Sequence, residues 1–313
     1  MTNILVTGGA GFIASSLAYK LVSNTDNFVV IVDNLSTGNL KNLPSEKDNW
    51  RFFRCDVNNY REISEIMMMF KFDFVFHYAA VVGVKRTQKN PVSVLKDLHG
   101  VENILLLSKN TNVKRVFYSS SSEVYGEPVE LPQNEQTTPL NSRLPYAIVK
   151  NAGEAFLRSY NKEFGLNYTI FRFFNTYGPK QSHHFVISKF INKALNDEPI
   201  TIYGDGNQTR TFCYIDDNID ACLNAFYSNQ EINKVINIGS DKEFTILELA
   251  NKIVKSTNSK SEIIHLPPLP EGDMTRRLPD ITRMKKLLIR EPVSLDDGLL
   301  KTIPYFAKEN KFI

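Results

Sequence analysis

Short apolar runs alternate along the first half of the chain with longer stretches in which apolar residues recur every three or four positions. The runs Ile4-Leu5-Val6, 28–32, 50–55, 74–77, Val116-Phe117-Tyr118 and 168–173 read as buried strands. Phe12, Ile13, Leu17, Leu21 and Val22 carry the helical period, and further helices are expected around 91–110 and 145–164, each apolar on more than one face. Such alternation predicts an α/β fold, a doubly wound parallel sheet with helices on both sides, whose ligands bind at the carboxyl ends of the strands. The last third is patterned differently. Short strands at 199–203 and 235–238, and helices near 185–196, 219–228 and 245–257, predict a smaller C-terminal α/β domain. The expected division is 1–175 and mainly 176–313, with segments that can cross between the two. The LPPLPEG stretch at 266–272 suits either a lid or a plain connecting loop.

Composition narrows the function classes. With 313 residues, 42% hydrophobic and 23% charged, the chain can bury a large core. Lys+Arg 37 against Asp+Glu 34 gives +3 with no long run of either sign, so neither a nucleic-acid nor a membrane binder is expected. Cys55, Cys213 and Cys222 are far apart and form no CxxC, which fits reduced thiols in a cytoplasm and no zinc site. His183 and His184 are adjacent and cannot easily face one metal, so no metal is expected. The chain runs from Met1 almost directly into Ile4-Leu5-Val6 without a secretory pattern, and no apolar run reaches the length of about 18 residues that a spanning helix needs.

Candidate chemistry lies just past the strand ends. In ILVTGGAGFIAS, Gly8 and Gly11 permit a tight turn and let backbone N–H groups approach a pyrophosphate at a helix N-terminus. Asp33 ends the next strand, about twenty residues on, where a carboxylate accepts hydrogen bonds from a ribose and repels a 2′-phosphate, favouring NAD over NADP. Asp56 ends the third strand, within reach of an adenine edge, and the small residues Ala79 and Ala80 follow the fourth. His77 reads as a packing histidine. After the fifth strand comes YSSSSEVYG, and later YAIVK, which sets Tyr146 and Lys150 four apart on one helical face. A tyrosine-lysine pair is by itself common on solvated helices. Beside a dinucleotide turn it gains a role, because an ammonium one turn away favours the phenolate and so makes the tyrosine a proton acceptor, with a serine sharing the proton.

Taken in order, TGGAGFIAS, VDNLSTG, CDV, HYAA, SSSSEVYG, YAIVK, RFFNTYGP, IYGDGNQTRTFCYIDD and RRLPDI span nearly the whole chain. This set resembles the extended short-chain dehydrogenase/reductases of the NAD-dependent nucleotide-sugar epimerase and dehydratase family. The resemblance implies a Rossmann-type N-terminal domain, a smaller domain that binds a UDP-, GDP- or dTDP-linked sugar, and a homodimer through the helices at 91–110 and 145–164. It implies Tyr146 as base, Lys150 as its charge partner, Ser121 as the proton-sharing hydroxyl and Glu123 as a further acid or base. Cofactor contacts are implied for Gly8, Gly11, Phe12, Ile13, Asp33, Asn34, Ser36, Thr37, Gly38, Asp56, Val57, Tyr78, Ala79, Ala80, His99, Ser119, Tyr146 and Lys150. Substrate contacts are implied for Val84, Lys85, Ser121, Ser122, Glu123, Asn175, Val186, Lys189, Tyr203, Arg210 and Arg277. Guanidinium groups suit diphosphates through bidentate, charge-assisted bonds. Dehydratases of this family place an Asp-Glu pair where this chain has Ser122-Glu123, while YGPKQ and DNLSTG are more like 4-epimerases; decarboxylation and net 4-dehydrogenation remain open. Ala14 stands where a third glycine is usual, His99 where asparagine is, and Ile289-Arg290 where Gly-Trp is.

Overall fold

In a computed structural model, residues 1–45, 47–83, 87, 89–267 and 276–310 are described. Val84, Lys85 and most of the 266–272 stretch therefore lie outside the described residues. The first compact unit comprises Met1–Val124, Leu140–Arg172 and Cys222–Ile236. Its centre is a seven-stranded parallel sheet. The strands are β1 (Thr2–Thr7), β2 (Asn27–Asp33), β3 (Trp50–Arg54), β4 (Phe74–His77), β5 (Arg115–Ser121), β6 (Asn167–Phe173) and, after four shorter strands elsewhere, β11 (Lys234–Ile238). Their order is β11-β6-β5-β4-β1-β2-β3. The order reverses between β1 and β4, which is where a doubly wound sheet opens a crevice.

Both faces of this sheet are buried, as parallel sheets require. On one face Leu5, Val30, Val75, Val116 and Ile170 pack against Ile63, Met67, Ile104 and Leu157. These come from α2 (Tyr60–Phe70), α4 (Asp97–Asn110) and α5 (Pro145–Phe164). On the other face the Phe76 and Phe117 rings stack with centroids 4.4 Å apart, Phe171 lies 6.1 Å beyond, and Phe226 meets Phe117 edge-on at 5.7 Å. Between helix α1 (Phe12–Ser23) and β2 lies Asn24 as cap, while Pro145 opens α5 and Gly165, at φ 73°, ends it.

Two expectations are corrected. The helix predicted over 91–110 is broken at Lys96 into α3 (Pro91–Leu95) and α4. There the His99 N–H bonds back to the Lys96 carbonyl, a tighter three-residue step that turns Asp97 inward. The strand predicted at 235–238 for the small domain joins the large sheet as β11 beside β6, and the boundary between the two units falls within it, after Ile236. An apolar run reveals a strand; its partner, more than sixty residues upstream, leaves no trace in spacing.

The second unit comprises Tyr125–Pro139, Phe173–Ala221 and Asn237–Ile313. It holds three two-stranded pairs: β7 (Thr176–Tyr177) with β10 (Cys213–Tyr214), β8 (Ile200–Tyr203) with β13 (Ile263–Leu266), and β9 (Thr209–Thr211) with β12 (Glu243–Thr245). Helices α6 (Val186–Leu195), α8 (Ile246–Thr257) and α10 (Leu295–Glu309) pack together through the buried Phe190, Ile191, Leu249, Ile253, Leu299 and Phe306. Helix α8 starts in a capping box in which Thr245 and Glu248 satisfy each other's backbone N–H groups. Helix α7 (Ile215–Tyr227), whose residues from Cys222 onward belong to the first unit, and the short α9 (Thr282–Leu288) are the other α-helices of this part of the chain.

Candidate active site

The glycine turn lies at the switch point. Gly8 has φ 68°, and a Cβ there would stand 2.8 Å from the Ala79 backbone just past β4, so neither its conformation nor its space admits another side chain. Thr7 fastens the same corner, since its Oγ1 accepts the Tyr78 and Ala79 N–H groups at 3.1 Å each. Gly11 is the N-cap of α1 and no described side chain caps that helix, so its first-turn N–H groups and positive dipole end are available to a phosphate. Phe12 and Ile13 form the half-buried first turn.

Asp33 is held ready at the end of β2. Its Oδ2 accepts the Ala10 N–H at 3.0 Å and its Oδ1 the Leu35 N–H at 2.7 Å, with Gly38 pressed close against the carboxylate. Asn34, Ser36 and Thr37 lie exposed around it. Asp56 takes the Asn58 N–H at 2.9 Å and the Asn34 Nδ2 at 3.3 Å, which joins the loops after β2 and β3. Val57 and Tyr78 are buried beside these loops, Ala79 and Ala80 half-buried. A crowded glycine turn, an uncapped helix start and an oriented carboxylate one strand away fit a dinucleotide, so Gly8, Gly11 and Asp33 could hold NAD by its diphosphate and ribose.

The serine end of β5 meets the face of α5 that carries Tyr146 and Lys150. Lys150 is 2% exposed and donates its Nζ to the Ser119 carbonyl at 2.6 Å. The ammonium lies 4.9 Å from the centroid of the Tyr118 ring and 5.8 Å from that of Tyr146. The Ser121 hydroxyl lies near enough to the Tyr146 phenol to favour its ionised form, and it accepts the Glu123 N–H at 3.2 Å. Burial draws the Lys150 ammonium down to about 8, against a smaller opposing pull from Asp97.

The lowered tyrosine pKa expected from the Lys150 spacing is not what the resting protein has. Burial raises the Tyr146 phenol and the Glu123 charge adds to this, while the Ser121 hydroxyl works the other way. Tyr146 itself is half-buried. Lys150 is engaged with the Ser119 carbonyl, not with the phenol oxygen. Tyr146 also sits in the first turn of α5, where the helix dipole favours an anion modestly.

Two residues that pattern reading missed complete the surroundings. Asp97, 9% exposed, accepts the Val81 N–H at 2.6 Å and Asn58 Nδ2 at 3.4 Å, and its charge is felt by Lys150. In sequence it resembles any acidic residue in a first helical turn. His99, singled out for departing from asparagine, is exposed two residues later; the residue of this helix whose charge reaches Lys150 is Asp97. Glu154, the other, continues the spacing of Tyr146 and Lys150 by one more turn. His77 is buried with its Nδ1 2.9 Å from Thr7 Oγ1, and burial holds its imidazole down to about 3, so it stays neutral. Ser122 is buried and Glu123 half-buried in the turn after β5. Burial lifts the Cys55 and Cys222 thiols to about 12, which leaves them no thiolate character.

Within the second unit, Asn175 Nδ2 donates to the Thr211 carbonyl at 3.1 Å, which ties it to the strand of Arg210. Arg210 is half-buried with one Nη on the Thr209 carbonyl, and Arg277 is 7% exposed. Lys189 lies 6.0 Å from the Tyr203 ring centroid, with Val186 one turn before it on α6. Among the described residues no cluster of metal-binding side chains occurs, and no helix is long and apolar enough to cross a membrane.

Comparison with known proteins supplies the family. The chain is 35% identical over 317 residues to a putative UDP-glucose 4-epimerase of Methanocaldococcus jannaschii, covering 98% of this chain and 99% of that protein. It is 36% identical to UDP-glucuronic acid decarboxylase 1 of Danio rerio, over 98% of this chain and 73% of the other. Among solved structures, the UDP-glucose 4-epimerase of Thermotoga maritima, crystallised with UDP-glucose, superposes with a TM-score of 0.92 at 34% identity, covering 99% of this chain and 100% of that one. Residues 4–239 match the NAD dependent epimerase/dehydratase family, and with its glycine turn, oriented Asp33 and serine-tyrosine-lysine cluster the chain belongs to that family.

Proposed function

We propose that this NAD-dependent enzyme oxidises C4 of a UDP-linked sugar to a 4-keto intermediate and that the net reaction is 4-epimerisation. The observation that carries the reading is the meeting of Ser121, Tyr146 and Lys150 at the carboxyl end of β5, in the same unit as the glycine turn. When bound, NAD supplies the hydride acceptor and a positive ring charge that opposes the burial holding the phenol protonated. Tyr146 takes the proton of the C4 hydroxyl as C4 becomes a carbonyl, Ser121 shares that proton, and the Lys150 ammonium balances the phenolate. With the cofactor bound, hydride returned to the other face of the turned-over 4-keto sugar would give the C4 epimer, and Tyr146 would return the proton to the C4 oxygen. Asn175, Arg210 and Arg277 are proposed for the sugar diphosphate, Tyr203, Lys189 and Val186 for the nucleotide end, and the first unit for the cofactor.

A UDP sugar is favoured because each of the three proteins named above acts on or binds one by its name. Epimerisation is favoured because Glu123 has Ser122 beside it, and a serine is a poor acid for eliminating water. A second reading rests on Glu123, whose charge is felt by the Tyr146 phenol: it could serve decarboxylation or elimination next to the 4-keto group. Incubation with UDP-sugars separates the two by product mass. An unchanged mass with a new epimer supports the first reading, and loss of carbon dioxide or water transfers it to Glu123. Tyr146→Phe should abolish turnover and keep NAD binding, and a wild-type protein without turnover on any nucleotide sugar would sink both.

A homodimer through α3 and α5 is part of the proposal, because Val92, Leu95, Leu144 and Ile148 present exposed apolar side chains on these two packed helices. The buried thiols of Cys55, Cys213 and Cys222 suit a cytoplasmic location.

A further inference from the structure

Three successive serines of β5 each engage a different residue on one face of α5. The Ser119 carbonyl accepts from Lys150, Ser120 Oγ donates to Glu154 Oε1 at 2.7 Å, and the Ser121 hydroxyl acts on the Tyr146 phenol. Residues 146, 150 and 154 are one turn apart, so the three contacts form a single line along the helix. The middle contact differs from its neighbours, because Glu154 has no chemistry to perform. It is fully buried and carries an unusual load. Arg172 on β6 donates Nε to Oε1 at 2.8 Å and Nη2 to Oε2 at 2.7 Å, and Arg158 Nη2 reaches Oε2 at 2.8 Å. Burial alone would raise this carboxyl, but Arg172, Ser120 and Arg158 outweigh it and hold it below the usual range.

Resting on the proposed reading of Tyr146 and Lys150, we propose that Glu154 is a positioning residue: clamped by Arg172 and bonded to Ser120, it sets the register of α5 against the serine end of β5. Stability does not require such a pair. A buried ion pair pays for its desolvation, and apolar residues of similar volume are often as stable or more so. What apolar contacts lack is direction. A two-pronged guanidinium-carboxylate bond fixes angle and distance, whereas methylene packing lets a helix slide by tenths of an ångström, and displacements of that order are costly to catalysis.

The test is a double variant, Glu154→Met with Arg172→Met, beside the milder Ser120→Ala, in the full chain with NAD. Asp97 and His77, which face Lys150, and Glu123, which faces Tyr146, stay unchanged in all of them. The double variant should melt no lower than wild type and keep its NAD affinity within about twofold, while kcat on the UDP-sugar falls about tenfold or more at nearly unchanged KM. Ser120→Ala should lower kcat in the same sense by less, and carries the test if the double variant does not fold. A substrate-free readout separates this from the proposed function: the ultraviolet ionisation midpoint of Tyr146, taken as the difference between each protein and its Tyr146→Phe counterpart, should rise in the variants. Unchanged kcat or, in a wild type without turnover, an unmoved midpoint overturns the clamp.

Discussion

Replacing Gly153 by alanine puts a methyl group where Tyr118 already stands. A Cβ at 153 would lie 2.3 Å from the Tyr118 hydroxyl, 2.6 Å from Cζ and 3.0 Å from Cε1, all well inside ordinary contact. The ring cannot yield easily. It is 1% exposed, lies against the His77 ring at a centroid distance of 5.9 Å, and has Lys150 Nζ 4.9 Å from its centroid. Overpacking of a rigid core costs about 1–3 kcal/mol, and an inflexible ring puts this site near the upper end. Alanine in a helix interior returns about 1 kcal/mol relative to glycine, which leaves a net loss of about 1–2 kcal/mol. Thermal melting with NAD present should therefore fall by roughly 2–4 °C per kcal/mol lost. Ala155→Gly on the exposed side of α5 is the control, expected to lose about 1 kcal/mol through helix propensity alone. The two variants part in turnover: the ring pushed by residue 153 presses toward Lys150, so Gly153→Ala should lose kcat and Ala155→Gly should not. A Gly153→Ala protein more stable than wild type, with full turnover, refutes the packing described here.

Other perturbations address pH, charge and strain. His77 is neutral in the folded chain with its pKa held down to about 3, so stability present above the unfolded value of about 6.5 drains away as pH falls toward 3. At pH 5 the loss from this group is about 2 kcal/mol, and urea unfolding of His77→Gln should show that much less pH dependence between pH 7 and 5 than wild type. Turnover should decline on the alkaline side near pH 8 as the Lys150 ammonium titrates, and a flat kcat to pH 10 argues against a required ammonium. Glu123→Gln should leave most epimerase activity and abolish a decarboxylase or dehydratase; product mass after the substitution decides. Ile289 ends α9 at φ 58° with 87% of its surface exposed, a left-handed conformation that a β-branched residue adopts only under strain. Ile289→Gly should raise stability by about 1 kcal/mol, and a loss in calorimetry contradicts the strain.

The sheet strands and the main helices were legible because burial on both faces writes continuous apolar runs, and the helical period writes the rest. Tyr146 and Lys150 were legible through a spacing within one helix. Asp97 was not, because its meaning comes from Val81 and Lys150, which the fold brings to it from other elements. Arg172 reads in sequence as one basic residue inside an apolar strand, and only the neighbouring helix explains why it is buried. The same limit hid the place of β11 in the sheet. It also gave Tyr146 a lowered pKa from its lysine neighbour, when the desolvation that raises it depends on the whole surrounding fold.

The late arrival of β11 bears on how the chain is made. Strand β6 ends at Phe173 and its outer neighbour begins at Lys234, so about sixty residues must leave the ribosome between them. At roughly 5–20 residues per second the growing chain spends on the order of 3–12 s with the β6 backbone unsatisfied along one side. An open strand edge of that kind is a template for a second nascent chain on the same message. A messenger truncated before the Lys234 codon would make the exposure permanent, and its product should be found in inclusion bodies or bound to chaperones.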